Sequence, residues 1–481
     1  MSLTLHLLVD WDGDGTWGYD EASRVQSFTI TRGQKHIFNA SGNGFEPLSI
    51  GSAELTLRNT DGRFDPFNTT SDIYPNAKPG VDALLYLVYA ATDYYLLRGK
   101  IADLTPVGYQ RSVKISLRDG AQWLDDHILR HATETNLTTD AAIGHVLDAA
   151  AWDASWGRAL ETGDTTLAYW WSDGESAREA IDALVASELG YFYIDGNGQA
   201  IFKKRSAFHG MSGEFTIGAG DVLAQGILTA MPWETVRNVA QLTYHPRAQQ
   251  ASAVLWTMQD NPGPYIEPGG NVTFICNFTY NNLPCAAASV DALVLEDGDD
   301  YISYGDTPPT LVATIDAGGH TATLTIENTS ATTGARLTRV QLTGIPINEP
   351  DPTQVEVDNS SGANFGARRL NLDLQWQAYV SEATDLATGL ATILATPRPY
   401  PQIALKPAYD SRQFSELNTV FRLDLDALYI DAQYRILGIE HTWDANAPQI
   451  VNTTWTCAPL DTRSYFTLDD SELDRADILS Y

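Results

Sequence analysis

The chain has 481 residues, of which 43% are hydrophobic and 10% aromatic, so it is long enough for several folded domains with sizeable cores. Its 30 basic and 61 acidic residues give a net charge of -31, which argues against nucleic-acid binding and against adsorption to anionic membranes. The 3 cysteines (Cys276, Cys285, Cys457) are too few for a disulfide framework or a zinc site, and we expect buried free thiols, with a bond between Cys276 and Cys285 as the alternative.

The first predicted element is an acidic loop between two strands. The stretch VDWDGDGTWGYDE (residues 9–21) has the spacing of an EF-hand calcium loop, with Gly15 at the sharp turn. An EF-hand needs a helix on each side, whereas LTLHLLV before the loop and SFTIT after it alternate as strands do. We therefore expect a structural calcium clip at a hairpin, with a plain acidic surface turn as the alternative. The expected ligands are Asp10, Asp12, Asp14, Thr16 and Glu21.

Strand periodicity continues to residue 118 and defines a β-rich first domain. The segments SAELTLRN, DALLYLVYA, YYLLRGKIADL and SVKISLRD alternate apolar and polar residues, and Asp61-Gly62 marks a turn between two of them.

Residues 119–205 change character and predict a small α+β domain. Helical spacing occurs in GAQWLDDHILRHA, TTDAAIGHVLDAAAW and ESAREAIDALVASELG, the last of which is expected to stop at Gly190. The hairpin YFYIDGNGQAIFKKR follows.

The second half of the chain predicts two further domains. Short, evenly spaced strands between residues 252 and 350 are typical of a β-sandwich inserted into the chain. Residues 351–465 contain one amphipathic helix, SEATDLATGLATILA, and then four strands. The last residues, 466–481, form an acidic tail that we expect to dock on another surface.

Several other residues have side chains that could bind a metal or catalyse a reaction. His127 and His131, four apart on a predicted helix, are a candidate metal pair, although a solvated helix face explains them as well. The acidic turn containing Asp297, Asp299 and Asp300 lacks a closing ligand. No nucleophile elbow, Walker loop or zinc-protease motif occurs in the sequence.

Aromatic residues with nearby carboxylates raise the question of sugar binding or cleavage. They are Trp170, Trp171, Tyr191, Phe192 and Tyr193, with Asp173, Glu175 and Glu179 close to the tryptophans in sequence. Because the aromatics adjoin an amphipathic helix and a hairpin, core packing is the expected role. Carboxylate pairs also arise by chance in a chain with 61 acids. We therefore expect no enzyme and no catalytic residues.

An ordered set of segments resembles the minor tail proteins of long-tailed bacteriophages, specifically the baseplate hub or tail-tip hub class. The set covers nearly the whole chain, and its order carries the resemblance more than any one motif does. The segments are DWDGDG, ELTLRNTDGRFDPFN, AIDALVASELGYFYIDGNGQAIFKKR, NVAQLTY and YRILGIEHTW.

The resemblance implies a mainly β protein with two tube-like β-barrel domains, a small α+β domain and an inserted β-sandwich. The tube-like parts would be residues 1–118, completed by strands near 206–250, and residues 351–465. Three chains would form a ring that continues the tail tube, with the other domains outside. Larger relatives carry a peptidoglycan-cleaving or peptidase domain after the hub, and we expect that activity to be absent here.

The implied partners are a homotrimer, the distal tail protein, the tail tube, the tape-measure protein, and tail fibres or receptor-binding proteins. The implied location is the virion tail tip or baseplate, after synthesis in the host cytoplasm, with no membrane span and no sequence-specific nucleic acid. Two alternatives remain open at this point. One is a host-recognition adhesin whose sandwich binds carbohydrate, and the other is a polysaccharide-degrading enzyme, which no sequence feature supports.

Overall fold

The structure is a computed structural model that describes residues 3–33, 49–108, 111–230, 236–305, 307–360, 365–397, 399–407, 410–460, 465–466 and 478–479. The protein is mainly β, with 49% strand and 14% helix, which confirms the predicted fold class. Most of the predicted acidic tail lies outside the described residues. Among the helices of the described ranges, none has the length and apolar character needed to cross a membrane.

The N-terminal strands alternate buried and exposed side chains, as their sequence predicts. Their buried faces pack around Trp11, Phe28 and Phe64 in one core. The bounds are β1 Thr4–Val9, β2 Tyr19–Asp20, β3 Val25–Gly33, β4 Ser52–Arg58, β5 Asp82–Tyr89, β6 Thr92–Val107 and β7 Ser112–Arg118.

The middle unit packs three helices against two small sheets. Ser176 and Glu179 form a capping box at the start of α3, which satisfies backbone N–H groups that a helix leaves unpaired. The helix ends at Glu188 and is capped by Leu189, which adopts a left-handed conformation (φ 60°). Gly190, the predicted stop, has another reason to be glycine, because a Cβ there would lie 2.9 Å from the ring of Phe202. The elements are α1 Gly120–Asp126, β8 Ile128–Thr138, α2 Thr139–Ala149, β9 Arg158–Leu160, β10 Thr166–Ser176, α3 Ala177–Glu188, β11 Tyr191–Ile194 and β12 Ala200–Lys203.

Three strands connect the middle unit to the predicted sandwich. They are β13 Thr216–Gly218, β14 Val222–Ala230 and β15 Val239–Tyr244. The prediction that strands near 206–250 complete the first domain is wrong for all three. β13 pairs with a strand at 420–425, β14 with one at 400–405, and β15 with strands at 353–358 and 369–374. Periodicity marks a strand and its buried face but carries no information on its partner, so the assignment failed at that step.

The inserted unit consists of short antiparallel sheets around its own core, which includes Leu255, Phe278 and Leu324. Cys276 and Cys285 are buried here as free thiols, and Cys457 is likewise buried and free, as expected. The strands are β16 Ala248–Gln249, β17 Ala253–Thr257, β18 Tyr265–Ile266, β19 Asn271–Asn277, β20 Thr279–Tyr280, β21 Leu283–Pro284, β22 Ala286–Val290, β23 Tyr301–Tyr304, β24 Leu311–Ala317, β25 Thr321–Asn328, β26 Gly334–Leu337 and β27 Gln341–Asn348.

The C-terminal elements divide between two sheets. β28 and β29 flank β15 in a three-stranded sheet that α4 covers, so this part of 351–465 forms a separate layer. The later strands β30 to β33 join the large sheet described next. The bounds are β28 Thr353–Asp358, β29 Arg369–Leu374, α4 Val380–Ile393, β30 Tyr400–Leu405, β31 Val420–Leu425, β32 Ile430–Asp444, β33 Val451–Pro459, β34 Tyr465–Phe466 and β35 Ile478–Leu479.

One 13-stranded sheet joins the N-terminal and C-terminal strands. Eleven of its strands follow the path β14-β30-β33-β32-β3-β4-β7-β6-β5-β1-β2, and the other two branch from it, with β31 paired to β32 and β13 paired to β31. The junction between the two halves, here called the seam, is the antiparallel pairing of β3 with β32 from Ser27↔Asp444 to Gly33↔Gly438. Each half covers a core of its own, with Phe421 and Trp455 in the second. Strands from both predicted tube-like regions, residues 1–118 and the later part of 351–465, therefore belong to one continuous sheet.

The sandwich is fixed to the middle unit by polar and aromatic contacts. Asp173 on β10 accepts hydrogen bonds from the backbone N–H of His320 at 3.0 Å and from the Thr321 hydroxyl at 2.8 Å. Arg247 lies between Trp171 and Trp376, with its guanidinium 4.8 and 4.9 Å from the ring centroids. Stacking of this kind favours arginine, whose flat cation is weakly hydrated.

Candidate metal loop and comparison with known structures

The acidic loop joins β1 to β2, so the strands predicted on its flanks are present. Asp10, Asp12 and Asp14 each bring one carboxylate oxygen within 4.8 Å of the others. Asp10 is buried and accepts backbone hydrogen bonds from Gly13, Asp14 and Gly15 at 2.9, 3.2 and 3.0 Å. The two glycines have positive φ values of 70° and 81°, a conformation that side chains disfavour. This sequence thus folds so that three carboxylates converge.

Electrostatics within the loop differ from one aspartate to the next. The pKa of Asp12 is raised, first by desolvation and then by the adjacent carboxylates of Asp10 and Asp14. The pKa of Asp14 is lowered, because the Thr16 hydroxyl and backbone N–H both donate to it, at 2.6 and 2.8 Å. The Thr16 carbonyl, an expected ligand, accepts a hydrogen bond from the N–H of Gly18 at 3.0 Å. Repulsion among the carboxylates of Asp10, Asp12 and Asp14 would be relieved by a bound cation.

Glu21, the expected bidentate ligand, does not belong to this cluster of three aspartates. Its buried carboxylate accepts hydrogen bonds from Arg63 Nε and Nη2 at 3.0 and 2.8 Å and from Trp11 Nε1 at 3.2 Å. Arg24 Nε lies 3.4 Å from its other oxygen. Glu21 therefore ties the end of the loop to the turn after β4, a role that sequence analysis missed because Arg63 is 42 residues away.

The two histidines proposed as a metal pair are not on one helix. α1 ends at Asp126, and residues 128–138 form β8, which pairs with β10, so the predicted helix over this stretch is wrong beyond its first seven residues. Sheet pairing overrides the helical spacing here. His127 bonds the carbonyl of Trp123 at 2.9 Å, whereas His131 lies beside Glu134 and His145.

The remaining candidates have local structural partners. Asp297 accepts from the N–H and hydroxyl of Ser303, both at 3.1 Å, and Asp300 accepts from the N–H of Glu296 at 3.1 Å. Asp299 contributes its carbonyl to the Thr338 hydroxyl at 2.8 Å. These bonds close a turn of the sandwich.

Of the five aromatic residues considered as a sugar platform, four are buried in the core, as expected, whereas Tyr191 is partly buried. Trp170 and Trp171 are 1% and 5% exposed, and Phe192 and Tyr193 are 0% and 6% exposed. Glu175 accepts the N–H of Asp173 at 2.9 Å. These carboxylates organise the β10–α3 connection and do not face an open aromatic surface.

Comparisons with known proteins identify the fold. No family model matches the sequence, and no curated protein matches it. The 43 kDa tail protein of prophage MuSo2 from Shewanella oneidensis is similar in structure, with a TM-score of 0.52 at 10% identity over 96% of this chain and 100% of that one. A tail protein from Neisseria meningitidis gives 0.48 at 9% identity over 95% and 97% of the two chains. A prophage tail protein from Listeria monocytogenes gives 0.45 at 9% identity over 94% of each. The chain thus has the fold of a prophage tail protein across almost its whole length.

Proposed function

We propose that this protein is a structural component of a bacteriophage tail, namely a trimeric hub that closes or extends the tail tube at the tail tip or baseplate. The observation that carries the proposal is the fold shared with the MuSo2 tail protein along the full length of that chain. The location is then the virion, and the protein has no catalytic role. Its neighbours would be the tail tube, the distal tail protein, the tape-measure protein, and fibres or receptor-binding proteins.

The large sheet has a surface suited to lining an aqueous tube. Across the seam, one row of paired positions on five strands is polar and at least partly exposed, while the opposite face covers the two cores. The row consists of Ser116, Glu54, Thr29, Thr442 and Asn452. A wall with small hydroxyl, amide and acidic side chains stays hydrated and does not attract a DNA backbone.

The ends of the sheet favour assembly. In the described residues its path stops at β2 and β14 without closing on itself. An open sheet presents unpaired backbone groups, and closure by further copies removes such edges. Three chains arranged around a channel would complete the wall.

Light scattering combined with negative-stain electron microscopy tests the proposal. We expect a mass three times the 52.6 kDa of one chain, and rings with a central channel. If the ring needs neighbours, the chain mixed with its tail-tube protein will form it. A protein that stays monomeric in both conditions contradicts the hub.

We also propose that the acidic loop binds one calcium ion through Asp10, Asp12, Asp14 and the Thr16 carbonyl. The donor set fits, since it consists of the hard oxygens that calcium prefers. Glu21 would become a ligand only after Arg63 releases it, so we assign it first to anchoring the loop. Titration calorimetry of the whole chain, repeated after Asp12→Asn with Asp14→Asn, checks the site, and binding unchanged in the double variant contradicts it.

A second candidate is host recognition by the sandwich. Tyr265 and Tyr304 are 45% and 52% exposed and meet edge to face, with the guanidinium of Arg336 5.9 Å from the Tyr265 ring. Exposed aromatics next to a cation are typical of surfaces that bind sugars or peptides. Cell-wall pull-down by the whole chain should fall after Tyr304→Ala and be unaffected by Tyr429→Ala, a change at a residue 98% exposed on another unit. If Tyr304→Ala does not reduce the amount of protein retained on cell walls, this candidate is wrong.

A further inference from the structure

We propose a second metal site in the middle unit, in which His131, Glu134 and His145 bind one Zn²⁺. One ligand atom from each of the three side chains lies within 4.8 Å of the others, and His145 Nε2 is 3.8 Å from Glu134 Oε1. Ligand atoms around a tetrahedral zinc ion lie about 3.4 Å apart, as follows from bonds of about 2.1 Å. Side-chain rotations that move each ligand atom by less than about 1.5 Å would therefore bring all three within bonding distance of one zinc ion.

A β-bulge creates this arrangement. His131 and Glu134 are three apart on β8, which in a regular strand places them on opposite faces. The pairing with β10 shifts between Trp170↔Glu134 and Ser172↔His131, so three steps on β8 match two on β10. The extra residue turns both side chains to the same face, as bulges beside functional sites do. His145 then approaches from α2, which follows β8 directly.

The surroundings orient the two imidazoles. Both rings contact the buried Trp170, with centroid distances of 4.9 Å for His131 and 6.2 Å for His145. His131 Nδ1 lies 2.8 Å from the carbonyl of Ala132. With Nδ1–H donating to that carbonyl, Nε2 keeps the lone pair that a metal needs, which is how such sites select a tautomer.

The donor set selects the metal. Two imidazoles and a carboxylate suit Zn²⁺ and its neighbours in the transition series, whereas Ca²⁺ and Mg²⁺ require oxygen ligands. The side chains of His145 and Glu134 are 36% and 40% exposed, so a hydrated ion can reach them and water can complete the coordination. The ion would fasten β8 to α2, on the unit that carries the sandwich.

Metal titration of the whole, tag-free chain tests the site, with calcium in excess to occupy the acidic loop. We expect one Co²⁺ per chain, reported by visible d–d absorption and displaced by Zn²⁺. His131→Gln and His145→Gln should each weaken binding by about 100-fold or more, since loss of even an outer-shell partner costs 10–100-fold. His245→Gln is the control, because the His245 imidazole pairs with Asp373 at 2.6 Å and does not belong to the cluster of His131, Glu134 and His145.

Each other outcome overturns the proposal. If the parent chain does not bind one Co²⁺ per chain, the site does not exist. If His131→Gln and His145→Gln bind Co²⁺ as tightly as the parent does, the ion lies elsewhere. Thermal melting without metal shows whether each variant is folded. Glu134→Gln keeps both imidazoles in place and should also weaken Co²⁺ binding, whereas affinity equal to that of the parent contradicts a site that includes Glu134.

Discussion

Replacing Glu21 with glutamine is expected to destabilise the first half of the large sheet whether or not calcium is present. The Glu21 side chain is 4% exposed and the Arg63 side chain 11% exposed, so the substitution leaves a nearly buried guanidinium without its main counter-charge. Removal of one partner from a buried ion pair costs about 3–5 kcal/mol. Arg63 keeps a second carboxylate, Asp72, and the glutamine oxygen still accepts one bond, which places our expectation near 3 kcal/mol.

Hydrogen–deuterium exchange is the appropriate assay, because a chain with several cores does not unfold in one step. Peptides from β1 and β4 should exchange about 100-fold faster in Glu21→Gln, since each 1.4 kcal/mol is a factor of ten. Peptides from the sandwich should not change.

Asp61→Asn is the matched control. Asp61 pairs with Arg24 at 2.8 Å on the same surface but is 51% exposed, so its loss should cost no more than about 1 kcal/mol. Exchange in Glu21→Gln as slow as in the parent refutes the anchoring role. Acceleration that appears only with calcium present refutes it too, and identifies Glu21 as a ligand.

Three further predictions concern the loop and two histidines. Asp12→Ala with Asp14→Ala should lower the melting temperature only when calcium is present, and equal melting of variant and parent in calcium contradicts the ion. Burial lowers the pKa of His441 to about 3, so the folded state stays neutral while the unfolded state gains a proton, and stability should fall by about 3 kcal/mol from pH 6.5 to 4. Hydrogen–deuterium exchange of β32 peptides, corrected for the intrinsic effect of pH on exchange, should show that His441→Leu lacks most of this loss, and a loss as large as that of the parent refutes the assignment. The hydrogen bond to Glu349 raises the pKa of His320. The pair therefore stabilises the folded state fully below about pH 6.5, and this stabilisation is lost as the pH rises through the raised pKa. Limited proteolysis of the sandwich connection should accelerate over that range in the parent, and a parent that behaves like His320→Gln contradicts the link.

Local features of the fold were readable from the sequence. The apolar spacing of ESAREAIDALVASELG predicted α3, and alternation in SAELTLRN predicted β4 with its buried face. These features depend on neighbours within a few residues. Helical spacing failed after Asp126, where β8 gains more from pairing with β10 than it would from continuing α1.

Long-range partners were not readable. The spacing of the loop predicted that the aspartates converge, but not that Arg63 would hold Glu21. The short distance between the His131 and His145 side chains depends on a β-bulge, which can be seen only once the pairing of β8 with β10 is known. Pairing of β13 and β14 with the C-terminal strands likewise depends on which sheet edge is available after folding.

The seam imposes an order on biosynthesis. β3 occupies residues 25–33, and its partner on β32 ends at Asp444, so a ribosome must make most of the polypeptide before that pairing can form. Until then one edge of the nascent N-terminal sheet lacks its native neighbour and is open to pairing with other chains. A message cut short before β32 would release such a product, which should aggregate or be degraded. Assembly of the proposed ring would therefore draw only on chains that were translated nearly to the end.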